Sequence, residues 1–171
     1  MNTNIFRSSY ALAATFGLVA LVAQPATAQT SAATGSMAAT ADITPDCQVN
    51  STGITFGGTN VIDGAAHTMT GAVNVKCTFD TAWTASANAG LGTDATITTR
   101  KMQSGTDSLN YSLFTDTAGT TLWGDGTTGS TIGGTGTGQF VATSITGVIP
   151  ANQTTLRAGS YADTVTVTVN Y

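Results

Sequence analysis

The chain of 171 residues has few charged side chains and no glutamate. Its charges are five Lys or Arg and nine Asp, with a single His, and the formal net charge is −4 at pH 7. The basic residues are not clustered, so the electrostatic footprint of a nucleic-acid-binding protein is missing. Without glutamate, a catalytic pair of carboxylates would need two Asp, and most Asp residues here adjoin Gly, Thr or Ser, where they satisfy turn backbones.

Motifs of nucleophilic catalysis are also missing. Such catalysis needs a nucleophile beside a base that a third group orients, and the only imidazole belongs to His67. His67 lies between Gly64 and Thr68 in a segment that is typical of a loop, and no Gly-x-Ser-x-Gly elbow occurs. We therefore predict that His67 is a solvated loop residue and that the protein is not an enzyme.

The glycine-rich residues 124–138 are the other candidate for chemistry, because glycine loops can cradle phosphates. No Gly-Lys-Ser/Thr follows them, no basic residue lies among them, and no strand-to-helix context surrounds them. They are predicted to form a flexible hairpin connection.

The first 28 residues have the order of a secretory signal peptide. Arg7 is their only charge, residues 10–23 are almost wholly apolar, and Ala26 to Ala28 supply the small-x-small cleavage site, so the mature chain would begin at Gln29. The apolar run is shorter than the roughly 20 residues that span a membrane. An amphipathic or buried N-terminal helix is the alternative. The mature chain is expected to form one domain with one core.

Only two cysteines are present, Cys47 and Cys77. Behind a signal peptide, an even number of cysteines favours a disulfide. A zinc site or a redox pair is the alternative, but the single His is distant and no Cys-x-x-Cys occurs. We predict a structural disulfide and expect no metal and no cofactor.

Apolar and polar residues alternate with the period of a β-strand in several places, and no helical period appears after the signal peptide. Abundant threonine, a β-branched residue, also favours strands. Seven or eight short strands separated by turn signals predict an antiparallel β-sandwich. The clearest strands fall at residues 72–79, 83–87, 109–113 and 164–171, and weaker ones at 54–56, 95–102 and 140–145.

The segment that precedes the first cysteine also alternates. Met37, Ala39, Ala41 and Ile43 fall on one face, and polar residues and Ala38 fall on the other. This pattern fits the first strand of the domain itself. It equally fits a strand that is offered to the open sheet edge of a neighbouring molecule.

A series of short motifs runs through nearly the whole mature chain, in an order that resembles the spore coat protein U domain family, which includes the pilins of archaic chaperone–usher fibres. The most specific are Leu-Trp-Gly-Asp-Gly-Thr at residues 122–127 and the terminal Gly-x-Tyr-x-Asp-Thr-Val-x-Val-x-Val-x-Tyr at 159–171. The others are Thr-Gly-x-hydrophobic at 34–37, Phe-Gly at 56–57, Val-x-Val-x-Cys ending at Cys77, Leu-x-Tyr-x-Leu-Phe-x-Asp at 109–116, and Gly-x-Ile-Pro at 147–150 with Gln153.

This resemblance implies an incomplete immunoglobulin-like sandwich, residues 44–171, that lacks one strand. A periplasmic chaperone would fill the gap first, and the N-terminal segment of the next subunit, residues 29–43, would then replace it. Met37, Ala39 and Ala41 would be the inward residues of that donor strand, and the Cys47–Cys77 disulfide would join the first two strands of the body. The donor face is mostly alanine, which fills pockets less well than larger aliphatic residues do.

The expected function is that of a structural subunit of a secreted surface fibre, exported through the periplasm and assembled by an outer-membrane usher into a polymer of pilin subunits. The alternative is a secreted binding domain of the same fold that does not polymerise, either coat-associated or adhesive. A tip adhesin usually carries an additional binding domain, for which the mature chain has no room. No nucleic-acid partner is expected.

Overall fold

The structure, a computed structural model, describes residues 28–171. The predicted signal peptide, residues 1–28, lies outside the described residues except for Ala28. The chain divides into two units, Met1–Thr40 and Ala41–Tyr171. Residues 28–40, the described part of the first unit, contain neither helix nor strand.

The second unit is built from β-strands. A 3-10 turn, Val61–Asp63, is the only helical element among residues 28–171, and nothing helical in that range is long and apolar enough to cross a membrane. The strands are β1 (Cys47–Thr52), β2 (His67–Cys77), β3 (Ala82–Ala87), β4 (Arg100–Ser104), β5 (Asp107–Phe114), β6 (Ile132–Thr135), β7 (Val141–Ile149) and β8 (Val167–Asn170).

The strands form two sheets in which every pairing is antiparallel. One sheet has five strands in the order β1-β2-β7-β5-β4, and the other has three in the order β6-β3-β8. Alternate side chains of both sheets are buried in one shared core, which confirms the predicted all-β antiparallel sandwich. The core side chains include Val73, Val75 and Cys77 of β2, Trp83, Ala85 and Ala87 of β3, and Leu109, Tyr111 and Leu113 of β5.

The strand predicted at residues 72–79 corresponds to β2, which begins earlier, at His67, and also ends earlier. β2 ends at Cys77, and Phe79, which continues the apolar pattern, is 78% exposed. A turn interrupts the strand here, because Thr81 N donates to Thr78 O and Asp80 has a φ of 62°. This turn takes Phe79 out of the strand, so its side chain is no longer held on the buried face.

Two of the weaker strand predictions need correction. Residues 54–56 are not a strand, although Ile54 and Phe56 pack against the core. Of residues 95–102, only those from Arg100 onward are in a strand, because Thr96 and Thr99 close a turn on each other through their backbones. The third prediction, residues 140–145, corresponds to β7, which continues to Ile149.

The predicted flexible connection at residues 124–138 contains strand β6 and the buried Ile132. His67, predicted as a loop residue, is instead the first residue of β2 and is partly buried. Its Nε2 lies 3.1 Å from Asn60 O and 3.5 Å from Asp63 Oδ1. The short helical turn that Asn60 caps brings these two partners to the strand end.

The aspartates of two sequence motifs build tight turns. Asp116 accepts hydrogen bonds from Thr120 N, Thr121 N and the Thr120 hydroxyl, and Asp125 accepts from Thr127 N and Thr128 N. These bonds favour the charged carboxylate, and they lower the pKa of Asp116 and of Asp125. The motif acids are therefore explained by turn structure.

Candidate functional site

A cleft of about 900 Å³ lies within the sandwich unit. Its floor is the apolar core itself, since buried aromatic and aliphatic side chains from strands of the five-stranded sheet and from the loop that precedes β6 border the empty space. These floor residues are Leu109, Tyr111, Leu113, Trp123, Ile145 and Ile149. These side chains are themselves only 1–6% exposed, so a bound segment would gain contacts chiefly by filling the space above them.

One wall of the cleft, residues 156–167, is fixed by polar contacts. Ala162 exchanges both backbone hydrogen bonds with Gln103 of β4. Next to it, Asp163 accepts hydrogen bonds from the Tyr111 hydroxyl at 2.6 Å and from Leu91 N at 2.7 Å. The wall is thereby tied to β4, to β5 and to the loop after β3.

The opposite wall, residues 51–62, is held mainly by side-chain packing. Ile54 and Phe56 lie on Gly147 of β7, where a Cβ atom would come within 3.0 Å of Ile54 Cγ2 and 2.9 Å of Phe56 Cζ. Ile54 also lies on Gly71 of β2. A glycine inside a strand often marks a place where another part of the chain approaches closely. Here the wall packs against the sheet at Gly71 and Gly147. The predicted strand at residues 54–56 is in fact this wall.

Strand β8 has an unpaired edge beside the cleft. Asn88 N donates to Thr166 O, and the register pairs Ser86 with Thr168, so the backbone groups of Thr166 and Thr168 point towards β3. In an antiparallel ladder the intervening residues point their N–H and C=O groups the other way. Val167 is such a residue, and no strand within residues 28–171 pairs with that edge of β8.

Strand β1 has a second unpaired edge. Thr78 N donates to Asp46 O, which makes Cys47, Val49 and Ser51 the residues whose backbone groups point away from β2. Among the described strands, β2 is the only partner of β1. Since Ser51 and Val167 both line the cleft, an extended segment that entered it would meet backbone donors and acceptors on two sides.

Arg100 lies beside the cleft floor and is completely buried. Its guanidinium donates to four backbone carbonyl oxygens, of Asn88, Ile97, Ala87 and Trp123, at 2.9, 3.0, 3.5 and 2.9 Å. Burial lowers the pKa of Arg100, against the opposing effect of nearby Tyr111 and Asp163. No local sequence pattern marks this residue.

The buried Tyr111 hydroxyl has a raised pKa, first because of burial and then because of its hydrogen bond to Asp163. An unfolded tyrosine loses its proton near pH 10, whereas folded Tyr111 keeps it to a higher pH. The free energy of unfolding should therefore fall as the pH rises above about 10. Denaturant titrations at successive alkaline pH values measure this slope, and Tyr111→Phe should reduce it. An equal slope in the Tyr111→Phe variant would contradict this assignment.

The predicted site residues fall in separate places. Cys47 and Cys77 are joined by a disulfide, and they are direct partners in the β1–β2 ladder. Met37, Ala39 and Ala41 are all exposed and outside any strand, with Met37 93% exposed. Their role as a donor strand remains a prediction.

Two further residues could have been found from the family motifs. The Gln153 side chain forms two hydrogen bonds with the backbone of Asn110 in β5, from Asn110 N to Oε1 at 2.8 Å and from Nε2 to Asn110 O at 2.9 Å. It thus ties the loop after β7 to the backbone of β5, beyond the residues at which these two strands pair directly. Asp163 belongs to the terminal motif, and its three hydrogen bonds shape one wall of the cleft.

The fold is similar to that of a solved pilus subunit complex. A chain in the crystal structure of the CsuC–CsuE chaperone–tip adhesion subunit pre-assembly complex, from archaic chaperone-usher Csu pili of Acinetobacter baumannii, superposes with a TM-score of 0.54 at 24% sequence identity. The match covers 75% of this chain and 40% of that chain. At this identity the likeness establishes an immunoglobulin-like antiparallel sandwich.

A comparison with curated protein sequences finds no significant match. The model of the spore coat protein U domain family, however, matches residues 33–168, which include both walls and the floor of the cleft. The chain therefore belongs to the spore coat protein U domain family.

Proposed function

We propose that the protein is a structural subunit of a secreted surface fibre, in which the cleft of residues 44–171 accepts a β-strand from another molecule. A periplasmic chaperone supplies that strand first. At an outer-membrane usher, residues 29–43 of the next subunit replace it, and repetition builds a pilus on the cell surface.

The observation that carries the proposal is the cleft itself. Its floor is the hydrophobic core, and it lies between the unpaired edges of β1 and β8. Open strand edges beside an apolar cleft are an aggregation hazard until something covers them. A strand with alternating apolar and polar residues can occupy this cleft, since its apolar face packs on the floor and its backbone pairs with the strand edges.

The segment before Cys47 has the pattern that such a strand needs. Met37, Ala39 and Ala41 fall on one face, and Ser36 and Thr40 fall on the other. Met37 is the largest of the inward residues, so it contributes most of the buried apolar area. Each methylene that alanine lacks, compared with a larger aliphatic residue, loses about 0.8 kcal/mol of burial free energy. This strand is therefore predicted to bind more weakly than a leucine-rich or valine-rich strand would.

The partners follow from this assembly route. They are a periplasmic chaperone, an outer-membrane usher and further pilin subunits, chiefly copies of the same chain. The family supports this proposal, as does the fold that the chain shares with a member of a chaperone–subunit complex. The protein passes through the periplasm and functions at the cell surface.

The proposed function does not include catalysis. Within residues 28–171, no three His, Cys, Asp or Glu side chains are grouped to hold a metal ion. The His67 ring contacts a backbone carbonyl and an aspartate in place of the hydroxyl or thiol that nucleophilic catalysis needs.

Substitution of Met37 tests the proposal. Met37→Asp would place an unpaired charge against the apolar floor at a cost of several kcal/mol, so fibres should be lost while the subunit stays soluble with its chaperone. Ser36→Asp adds the same charge to the opposite face of the strand and should preserve fibres. Electron microscopy and polymer ladders on gels measure both outcomes.

Deletion of residues 29–41 should have the same effect as Met37→Asp. Fibres of normal length from the deleted chain would show that this segment belongs to its own domain, and the proposal would then be wrong. A wild-type chain that reaches the surface only as a monomer would favour the non-polymerised binding domain.

A further inference from the structure

We propose that Arg157, at the rim of the cleft, forms an ion pair with Asp42 of the next subunit and so fixes the orientation and register of the inserted strand. This inference rests on the proposed function and adds a specificity-determining pair to it.

Among residues 28–171, Arg157 is the only cation that lines the cleft, and Asp163 is the only anion. Asp163 is already satisfied, because it accepts hydrogen bonds from Tyr111 Oη, Leu91 N and Thr164 N. The Arg157 side chain is 77% exposed, and only its Nη1 is bonded, to the two carboxylate oxygens of Asp107 at 3.1 and 3.3 Å. Nε and Nη2 contact no acceptor among residues 28–171, so the guanidinium can receive a second carboxylate on two donors.

The inserted strand carries one matching charge. Between residues 28 and 45, Asp42 is the only charged side chain. In an extended strand it points away from the face that carries Met37 and Ala41. With that face against the floor, the Asp42 carboxylate lies at the rim, where the exposed Arg157 guanidinium also lies.

The position of Arg157 selects one strand direction. The wall runs from Arg157 at its N-terminal end to Val167 in β8. A strand antiparallel to β8 brings its own C-terminal part, with Asp42, towards Arg157, and brings Met37 towards Val167. A parallel strand places Asp42 beside Val167, where none of the described lining residues is a cation. Met37 and Asp42 are about 17 Å apart in an extended chain, so the ion pair distinguishes the two directions.

A charge exchange in the full chain tests this pairing, because every interface of a homopolymer then contains both changes. Polymers are collected from cells that carry the chain's own secretion system, and their dissociation into monomers is followed at fixed temperature and low salt. Arg157→Glu and Asp42→Arg should each speed dissociation about two- to fivefold, as expected for an exposed ion pair. The double variant should return to within about twofold of wild type.

Two matched variants separate the pair from other causes. Lys76→Glu makes the same charge change outside the cleft lining and should leave the dissociation rate unchanged. Asp107→Asn removes the intramolecular partner of Arg157 but keeps the guanidinium, and it should not speed dissociation. At about 1 M NaCl, where the screening length is about 3 Å, the differences among the charge variants should disappear.

If the double variant dissociates as fast as the product of the two single effects predicts, Arg157 and Asp42 do not pair and the inference is wrong. It is also wrong if neither single variant differs from wild type. These outcomes need wild-type polymers that depend on residues 29–41, whereas failure of the wild-type chain to polymerise would instead overturn the proposed function.

Discussion

Replacing Arg100 with methionine should lower the free energy of unfolding by about 3–5 kcal/mol. Arg100 is completely buried, and its guanidinium donates to carbonyl oxygens at the end of β3, in the turn that precedes β4, and at Trp123. Methionine fills much of the same volume but donates nothing, so several buried carbonyl groups lose their partner. Each such acceptor costs about 1–3 kcal/mol, and relief of the buried charge offsets part of the total.

Chemical denaturation of the full chain measures this effect. Arg100→Lys should also be destabilised, though less, because one ammonium group cannot reach acceptors that lie around a planar guanidinium. Lys101→Met removes the neighbouring cation, which is only partly buried, and should change the free energy of unfolding by less than about 0.5 kcal/mol. If Arg100→Met unfolds at the same denaturant concentration as wild type, the carbonyl cluster does not depend on the guanidinium.

The Arg100 variant also bears on the cleft. Trp123, whose carbonyl oxygen Arg100 binds, lines the floor, and its indole Nε1 donates to Ala85 O at 3.2 Å. Loss of the guanidinium removes one of the contacts that fix this residue. Fibre formation is therefore expected to decline with the stability of the Arg100 variant.

The sequence predicted the central strands because their two faces differ. Trp83, Ala85 and Ala87 alternate with polar residues and are all buried in β3, and Leu109 and Leu113 do the same in β5. In a strand that is buried on one face, the period of two in the sequence is the same as the period of two in the structure. Such strands need no knowledge of their partners to be predicted.

The cleft wall at residues 54–56 differs from the predicted strand for the converse reason. Ile54 and Phe56 have strand spacing and pack against the core as a strand would. Their segment nevertheless forms no ladder, since it lies across Gly71 and Gly147 of the sheet. Alternation reports which side chains are buried, and it contains no information about where the backbone hydrogen bonds go.

Strand β6 and Arg100 are two other features that a local sequence pattern does not predict. Gly133 and Gly134 suggest a flexible loop, but in the structure they allow close packing against Trp83. A Cβ atom on Gly133 would come within 2.9 Å of Trp83 O, and a Cβ atom on Gly134 would come within 3.0 Å of the Trp83 ring. Arg100 is a charged residue in a polar stretch, and its burial depends on carbonyl groups that are distant in sequence. Neither feature leaves a local pattern.

Removal of the Cys47–Cys77 disulfide should lower the free energy of unfolding by about 3.5–4 kcal/mol. The two residues are 30 apart in sequence, and closing a loop of this size restricts the unfolded chain by that amount in the chain-entropy model. The structure adds a local reason. β1 is an edge strand whose only described partner is β2, so without the crosslink its end is held only by ladder hydrogen bonds and by the packing of Cys47 on the core, and it should fray. In the proposed fibre, the donor strand leads directly into Cys47, so tension between subunits would reach the body through this bond.

Denaturation of the oxidised protein, of the reduced protein and of a Cys47→Ala, Cys77→Ala variant measures the difference. Reduction keeps both side chains in place and isolates the crosslink, whereas the double variant also loses the buried Cys77 sulfur, since Cys77 is 2% exposed, and should be somewhat less stable. Hydrogen exchange should accelerate first at the backbone amides of β1, where Gln48 and Asn50 pair with β2. A reduced protein within about 1 kcal/mol of the oxidised one, with β1 still protected, would show that strand pairing alone holds this edge and that the disulfide serves another purpose.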